Sequence, residues 1–165
     1  MNRTITVKLT ERGIDRAIRE VERFKRDVLG ATTSLCDMLV EEGVSDAKIQ
    51  LYSFAPIAVY TGQLEDSIQG YYDPDEHVGF IFTECFYAAF VEYGTGIVGQ
   101  SQPHPNPEGW AYDINNHGLE GWIYYNDRDG KFHWTKGFKS RPFMYNTAQE
   151  LRRVIGQLAQ IAFRT

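Results

Sequence analysis

A glycine-rich stretch in the middle of the chain has the letters of a nucleotide-binding motif. Residues 94–99 read Gly-Thr-Gly-Ile-Val-Gly and fit Gly-x-Gly-x-x-Gly. A dinucleotide site needs a strand before this motif and a helix after it, so that the phosphate meets a helix N-terminus. Here the preceding residues have helical spacing, and Pro103 and Pro105 soon follow. We predict no nucleotide site and interpret the glycines as positions for positive φ at the root of a loop.

The histidines and acidic residues are the other candidates for chemistry. No two histidines or cysteines have the helical or two-residue spacing that metal ligands favour, and no Ser or Cys lies in a nucleophile-elbow pattern. Asp73, Asp75 and Glu76 crowd one turn but lack the glycine and distal glutamate of an EF-hand. We therefore predict no enzyme, no cofactor and no metal site. The alternative is a metal-dependent hydrolase built on the histidines, which are His77, His104, His117 and His133.

Glu92 is the charged residue with the most unusual surroundings. It lies between Val91 and Tyr93 on a short apolar segment with helical spacing, so we expect it to be partly buried. An unpaired buried carboxylate is costly, and the residue then needs a partner. Our candidate is Arg141. The partner belongs either to a neighbouring subunit or to the same chain, unless Glu92 is simply solvated.

Two free thiols and the lack of a long apolar run bear on location. Cys36 and Cys85 are the only cysteines, and we interpret them as reduced and buried. No apolar run approaches the ~18 residues that a membrane span needs, and the N-terminus lacks a signal-peptide core. The sequence thus predicts no membrane partner.

The first third of the chain predicts a strand and two helices. Residues 4–9 alternate apolar and polar, which is typical of a half-buried strand. Apolar residues from Glu11 to about Glu42 fall at helical spacing and predict one long helix that uses this stripe for core packing. The alternative is a helix that also lines a contact between subunits. Gly43 suits its C-terminus. A second, shorter helix is predicted from Ser45 to about Phe54. The stripe consists of Ile14, Ile18, Val21, Val28, Leu35 and Leu39.

The rest of the chain predicts two strand pairs and two further helices. Leu64 and Ile68 are expected to point inward after a turn at Thr61-Gly62, and Gly94 to cap a short helix over residues 87–93. The segment 94–121 reads as a structureless projecting loop, and Ser140 as the N-cap of the last helix. The predicted strands are residues 69–72, 78–83, 122–126 and 131–135.

These elements predict an α+β fold in a single domain over residues 1–165, with a projecting loop at about 94–121. A small antiparallel sheet is expected to pack against a long N-terminal helix and a C-terminal helix. The length is sufficient to bury a real core.

Charge is unevenly distributed along the chain. Residues 60–130 carry a net charge of −11, whereas residues 131–165 carry +6 and the overall charge is −5. One interpretation is a solvated surface whose charges happen to segregate. The other is a subunit whose acidic part meets the basic part of its neighbour, which steers docking and fixes register. The acidic stretch has the wrong sign for gripping nucleic-acid phosphates.

Three stretches in this order resemble the tail-completion, or head–tail joining, proteins of long-tailed bacteriophages. The first contains Ala-Pro followed by Thr-Gly-Gln-Leu-Glu-Asp-Ser-Ile at residues 61–68. The second is Tyr-Ala-Ala-Phe-Val-Glu-Tyr-Gly-Thr-Gly at residues 87–96, and the third is Arg-Pro-Phe-Met at residues 141–144. The chain departs from the family's pattern in a longer gap between Pro56 and Thr61 and in a Pro- and Asn-rich insertion at 102–119.

The resemblance implies a structural virion protein of the phage neck, without catalytic residues. It implies a homo-oligomeric ring at the head–tail joint or tail top that contacts other neck and tail-tube proteins, made in the host cytoplasm and located in the virion. We expect DNA to pass through the lumen without specific binding. Another virion component, such as a tail terminator, is the alternative. The subunit-interface residues that we predict are Glu92, Tyr93, Gly94, Gly96, Arg141, Arg152 and Arg153.

Overall fold

The computed structural model describes residues 4, 6–54, 62–126 and 129–164, and these form five helices and four strands. The chain divides into two compact units. Unit 1 comprises residues 1–43, 70–81 and 151–165, and unit 2 comprises residues 44–69 and 82–150. The elements in chain order are α1 (Glu11–Tyr52), α2 (Gln63–Ser67), β1 (Ile68–Asp73), β2 (Val78–Thr83), α3 (Ala88–Tyr93), α4 (Gly96–Ser101), β3 (Trp122–Asn126), β4 (Lys131–Thr135) and α5 (Phe143–Ala162).

The α+β class is confirmed, with a long N-terminal helix and a C-terminal helix. The strands form two antiparallel sheets of two strands each, β1 with β2 and β3 with β4, where one small sheet was expected. Four of the five predicted strands agree with β1 to β4 within one residue at each end. No helix among the described residues is long and apolar enough to cross a bilayer.

Helix α1 runs unbroken for 42 residues, so the predicted break at Gly43 is wrong. Packing explains why a glycine stands there within a helix. A Cβ on Gly43 would lie 2.1 Å from Cδ1 of Ile81 and 3.0 Å from Cδ1 of Leu151, both in unit 1. The glycine therefore lets strand β2 and helix α5 approach α1 closely, and this packing outweighs its poor helix propensity.

The N-terminal part of unit 1 differs from the prediction in two ways. Residues 4 and 6–9 form no strand, and Ile5 lies outside the described residues. The start of the predicted core stripe is exposed, with 46% of Ile14, 51% of Ile18 and 55% of Val21 accessible to solvent. Helical spacing locates an apolar face but does not say what covers it.

The core of unit 2 forms where the end of α1 meets α2, β1 and the start of α5. Leu51 and Phe143 are fully buried, and Leu64 and Ile68 are 2% exposed, as predicted for that pair. Thr147 on α5 donates a 2.8 Å hydrogen bond to the carboxylate of Asp46 on α1. The C-terminal residues of α1 are thus a structural part of unit 2.

The segment 94–121 is not the structureless loop predicted from its prolines and glycines. It contains helix α4, and several of its side chains pack inside unit 2. His104 is 4% exposed, the ring of Trp110 stacks on Tyr93 at 4.8 Å, and the Trp110 indole N–H donates to the carbonyl of Gly94 at 3.0 Å. Aromatic packing therefore orders a stretch whose backbone composition favours turns.

Some predictions fall outside the described residues. These are the Ala-Pro stretch and the residues up to Thr61, and the middle of the β3–β4 turn at Asp127 and Arg128. Both cysteines are free thiols. Cys85 is buried as predicted, whereas Cys36 is only half-buried.

Candidate functional site

The carboxylate of Glu92 lies at the centre of a buried hydrogen-bond network in unit 2. Glu92 as a whole is 7% exposed. One oxygen accepts a 2.9 Å bond from the backbone N–H of Met144, and the other accepts a 2.9 Å bond from that of Tyr145. These N–H groups belong to the first turn of α5, where a helix has no internal acceptors and favours negative charge. Glu92 therefore caps α5 from about fifty residues away in the sequence.

This geometry corrects two predictions. Ser140 is not the N-cap of α5, because it lies three residues before the helix and its hydroxyl donates to the carbonyl of Glu92 at 2.6 Å. Arg141 is not the intrachain partner of Glu92. Only its backbone joins this region, through a 3.0 Å bond from its N–H to the carbonyl of Val91.

His104 is the side-chain partner of Glu92, at 3.0 Å between Nε2 and Oε1. Its other nitrogen, Nδ1, lies 2.9 Å from the N–H and 2.8 Å from the carbonyl oxygen of Asn106. Tyr93 and Tyr145 pack on its ring. The expectation of a surface or loop histidine is wrong here, because a hydrogen bond at each nitrogen and two aromatic contacts make burial favourable.

The glycine-rich stretch serves backbone packing. Gly94 and Gly96 have φ of 82° and 60°, as predicted for the root of a loop. A Cβ on Gly94 would lie 2.6 Å from the backbone nitrogen of Ser140, and one on Gly96 would lie 2.4 Å from the carbonyl oxygen of Lys136. The stretch follows helix α3, so the strand that a dinucleotide site needs is replaced by a helix.

Unit 2 contains an aromatic cavity of about 710 Å³. Its size falls in the range of small-molecule pockets, which are mostly apolar with a few polar groups. Arg141 and Asp113 bring the charged groups to its wall. The aromatic residues that line it are Phe86, Tyr87, Phe90, Tyr112, Trp122, Tyr124 and Phe138.

Three of the residues that line this cavity each have a buried polar atom without a hydrogen-bond partner. These atoms are Oγ1 of Thr95, Oη of Tyr112 and Nε of Arg141, and they are the buried side-chain atoms without a hydrogen bond in the part of the chain described. The guanidinium of Arg141 lies over the ring of Phe138 at 5.3 Å. Burial lowers the pKa of Arg141 from its ordinary value, because desolvation disfavours the charged form.

Asp113, the acid in the same wall, is fully engaged by its own loop. Its Oδ1 accepts 2.9 Å bonds from the backbone N–H and from Nδ1 of His117, and its Oδ2 accepts a 2.8 Å bond from the N–H of Gly118. The backbone bond from His117 is the largest cause that lowers the pKa of Asp113 below 3.8. The carboxylate is therefore ionised and turned towards its own backbone donors.

The four histidines have separate partners. His117 pairs with Asp113, His133 with Asp129 and His77 with the hydroxyl of Tyr72, besides the pair of His104 and Glu92. Within residues 4, 6–54, 62–126 and 129–164, no three His, Cys, Asp or Glu side chains form a metal-binding group. No observation favours the alternative of a metal-dependent hydrolase.

One side of the β3–β4 hairpin is entirely apolar and exposed. The register pairs Ile123 with Trp134 and Tyr125 with Phe132, which places these four side chains on the same side. They are 67%, 60%, 53% and 75% exposed, respectively. We call them the apolar hairpin face. The opposite side carries Trp122 and Tyr124, which line the cavity.

The predicted interface residues have different surroundings. Glu92, Gly94 and Gly96 are buried in unit 2, and Tyr93 is half-buried against His104 and Trp110. Arg141 lies in the cavity wall. On α5, in unit 1, the exposed arginines are Arg152 and Arg153.

Sequence reasoning missed His104, the cavity and the apolar hairpin face. The available signal for the face was the spacing of two large apolar residues two positions apart in each predicted strand, Ile123 and Tyr125 in one and Phe132 and Trp134 in the other. In comparisons with known proteins, no family model, no curated protein and no solved structure matches this chain.

Proposed function

We propose that this chain is an assembly subunit of a tailed bacteriophage, which acts through its surfaces in a ring at the head–tail joint or the top of the tail. The observation that carries the proposal is the apolar hairpin face. Monomeric proteins rarely expose contiguous apolar patches, and large ones are typical of protein–protein contacts. Four neighbouring apolar side chains, each more than half exposed, lower their free energy when a partner covers them.

A second exposed apolar surface lies on unit 1. Ile14, Ile18 and Val21 form a stripe on the first half of α1, among charged side chains. Two different apolar patches on one chain are what a head-to-tail interface needs, and such an interface closes into a ring when the rotation permits. The segregated charges add complementary surfaces that fix the register between neighbours.

The three stretches of the resemblance support the proposal in a different way. In unit 2 their described residues build one core, through the burial of Leu64, Ile68 and Phe143 and the cap from Glu92 to α5. The motif residues therefore hold the unit together, and the proposed contacts lie on the surfaces that this core supports.

Duplex DNA is expected to pass through the acidic lumen of the ring without specific binding. Measured binding of DNA to the assembled ring at physiological salt would contradict this.

The experiment is a mass measurement of the purified protein, alone and mixed with the neck and tail-tube proteins of the same phage. We expect defined oligomers or complexes that Phe132→Ser weakens at least tenfold, because the most exposed side chain of the apolar hairpin face is removed. Leu119→Ser is the matched control, since Leu119 is 71% exposed but lies outside the face.

Three outcomes would contradict the proposal. The first is a monomer at all concentrations that binds neither set of proteins, and the second is equal behaviour of the two variants. The third comes from virus particles made without this protein, if they carry normally attached tails and infect.

A further inference from the structure

We infer that the aromatic cavity of unit 2 is a binding site for a carboxylate that is attached to an aromatic or branched apolar group. This inference goes beyond the proposed assembly function and does not depend on it. It rests on the match between three unpartnered polar atoms and the apolar wall around them.

The polar atoms define the head group of the ligand. Nε of Arg141 is a donor only, and the hydroxyls of Thr95 and Tyr112 are able to donate as well. The matching head group is therefore an acceptor with several lone pairs, and a carboxylate offers about four acceptor positions. Because buried polar atoms in native structures are nearly always paired, three orphans in one wall point to a missing acceptor.

The charge of Arg141 selects an anion over a neutral acceptor. Among the described residues no carboxylate forms an ion pair with its guanidinium, and its contact is with the ring of Phe138. Asp113 lines the same cavity but forms no ion pair with Arg141, and its two oxygens accept hydrogen bonds from His117 and Gly118. A hydrogen bond between an ionised donor and an ionised acceptor is roughly twice as strong as a neutral one.

The wall selects the rest of the ligand. Phe86, Phe90, Trp122 and Phe138 supply flat apolar surfaces, and a volume of about 710 Å³ accommodates a ring with a short chain. A phosphate or sulfate ion without an apolar body would leave these surfaces without contacts. The site therefore fits an aromatic acid better than an inorganic anion.

The first test is calorimetric titration of the full chain with N-acetyl-phenylalanine and with its amide. The two probes share the ring and differ in the carboxylate. We expect saturable binding of the acid at least tenfold tighter than of the amide, since only the carboxylate forms a charge-assisted hydrogen bond with the guanidinium of Arg141. No saturable binding of the acid, or equal binding of both probes, overturns the inference.

Variants locate the site and separate binding from folding. Arg141→Gln is expected to weaken binding at least tenfold, and Tyr112→Phe and Thr95→Val about two- to fivefold each. Arg164→Gln is the matched control, because Arg164 is an exposed arginine of unit 1 outside the cavity. Thermal unfolding without ligand checks that each variant folds. If Arg141→Gln fails to fold, the affinities of Tyr112→Phe and Thr95→Val for the acid test the assignment instead. Unchanged affinity in variants that fold overturns the assignment.

A second pair of probes distinguishes the two sources of such a carboxylate. Indole-3-propionate represents a free small acid, and Gly-Gly-Phe with a free C-terminus represents the end of a protein chain. Chemical shifts of the backbone amides of Thr95 and Phe138 and of the Trp122 indole N–H report occupancy of the cavity. The probe that binds more tightly identifies the source of the carboxylate. If neither probe changes the chemical shifts of these three groups, and only shifts elsewhere in the protein change, the site is overturned.

Discussion

Buried polar groups are hydrogen-bonded in one region of unit 2 and lack partners in another. Around Glu92, both carboxylate oxygens and both nitrogens of His104 have partners within 3.0 Å. In the aromatic cavity, the wall contains three buried polar atoms without partners. Residues 141–144 contribute to both regions, Arg141 to the cavity and Met144 to the network. The comparison teaches that a satisfied network holds a fold together, whereas orphaned polar atoms leave hydrogen-bonding capacity unused.

The largest effect is expected from Glu92→Ala. The substitution removes the acceptor for the N–H groups of Met144 and Tyr145 and leaves Nε2 of His104 without a partner. Breaking a buried charged network of this kind costs about 3–5 kcal/mol of unfolding free energy, measured by urea denaturation. Glu108→Ala is the control, since Glu108 is exposed in the same unit, and should change stability by less than about 0.5 kcal/mol. If Glu92→Ala lowered the unfolding free energy no more than Glu108→Ala does, the network would contribute nothing specific to stability.

The opposite sign is expected in the cavity wall. Tyr112→Phe and Thr95→Val each remove a buried oxygen that has no partner, so no hydrogen bond is lost. Without ligand we expect the unfolding free energy to stay within about 0.5 kcal/mol of wild type or to rise, because a desolvation penalty disappears. Urea denaturation measures this as well. A loss of 2 kcal/mol or more, on the order of a lost buried hydrogen bond, would show that these hydroxyls are structural, and the contrast between the two regions would fail.

The smallest effect concerns Asp113, the acid of the cavity wall. Its pKa is lowered in the folded state below 3.8, first by the backbone hydrogen bond from His117. A depressed folded pKa stabilises the fold above the unfolded pKa, and this stabilisation is lost as pH falls through the folded pKa. Asp113→Asn should therefore flatten the stability profile slightly below pH 4, measured by thermal unfolding against pH. Parallel profiles of wild type and variant would argue against the role of this carboxylate.

The sequence predicted local elements well where one side chain pattern dominated. The strands 78–83, 122–126 and 131–135 are present with the same bounds, and Gly94 caps α3 as expected. The prediction of a helix end failed at Gly43, because the close packing of Ile81 and Leu151 against this glycine outweighs its tendency to end a helix. The prediction of a helix cap failed at Ser140 because the cap of α5 comes from Glu92, and contacts across fifty residues leave no periodic signal.

The candidate site was only partly accessible from the sequence. The unusual surroundings of Glu92 were visible in its apolar neighbours, and so was its need for a partner. The identity of that partner was not, since Arg141 and His104 are both candidate hydrogen-bond donors at unrelated spacings. The cavity and the apolar hairpin face could not be derived, because alternation shows that two sides differ but not which side is covered.

By itself, the sequence determined the α+β class and the positions of strands β1 to β4. Tertiary structure alone decided which polar groups are paired, which are orphaned around the cavity and which apolar side chains remain exposed. The physical reason is that hydrogen bonding and burial depend on residues distant in the chain, whereas propensity and periodicity act between near neighbours.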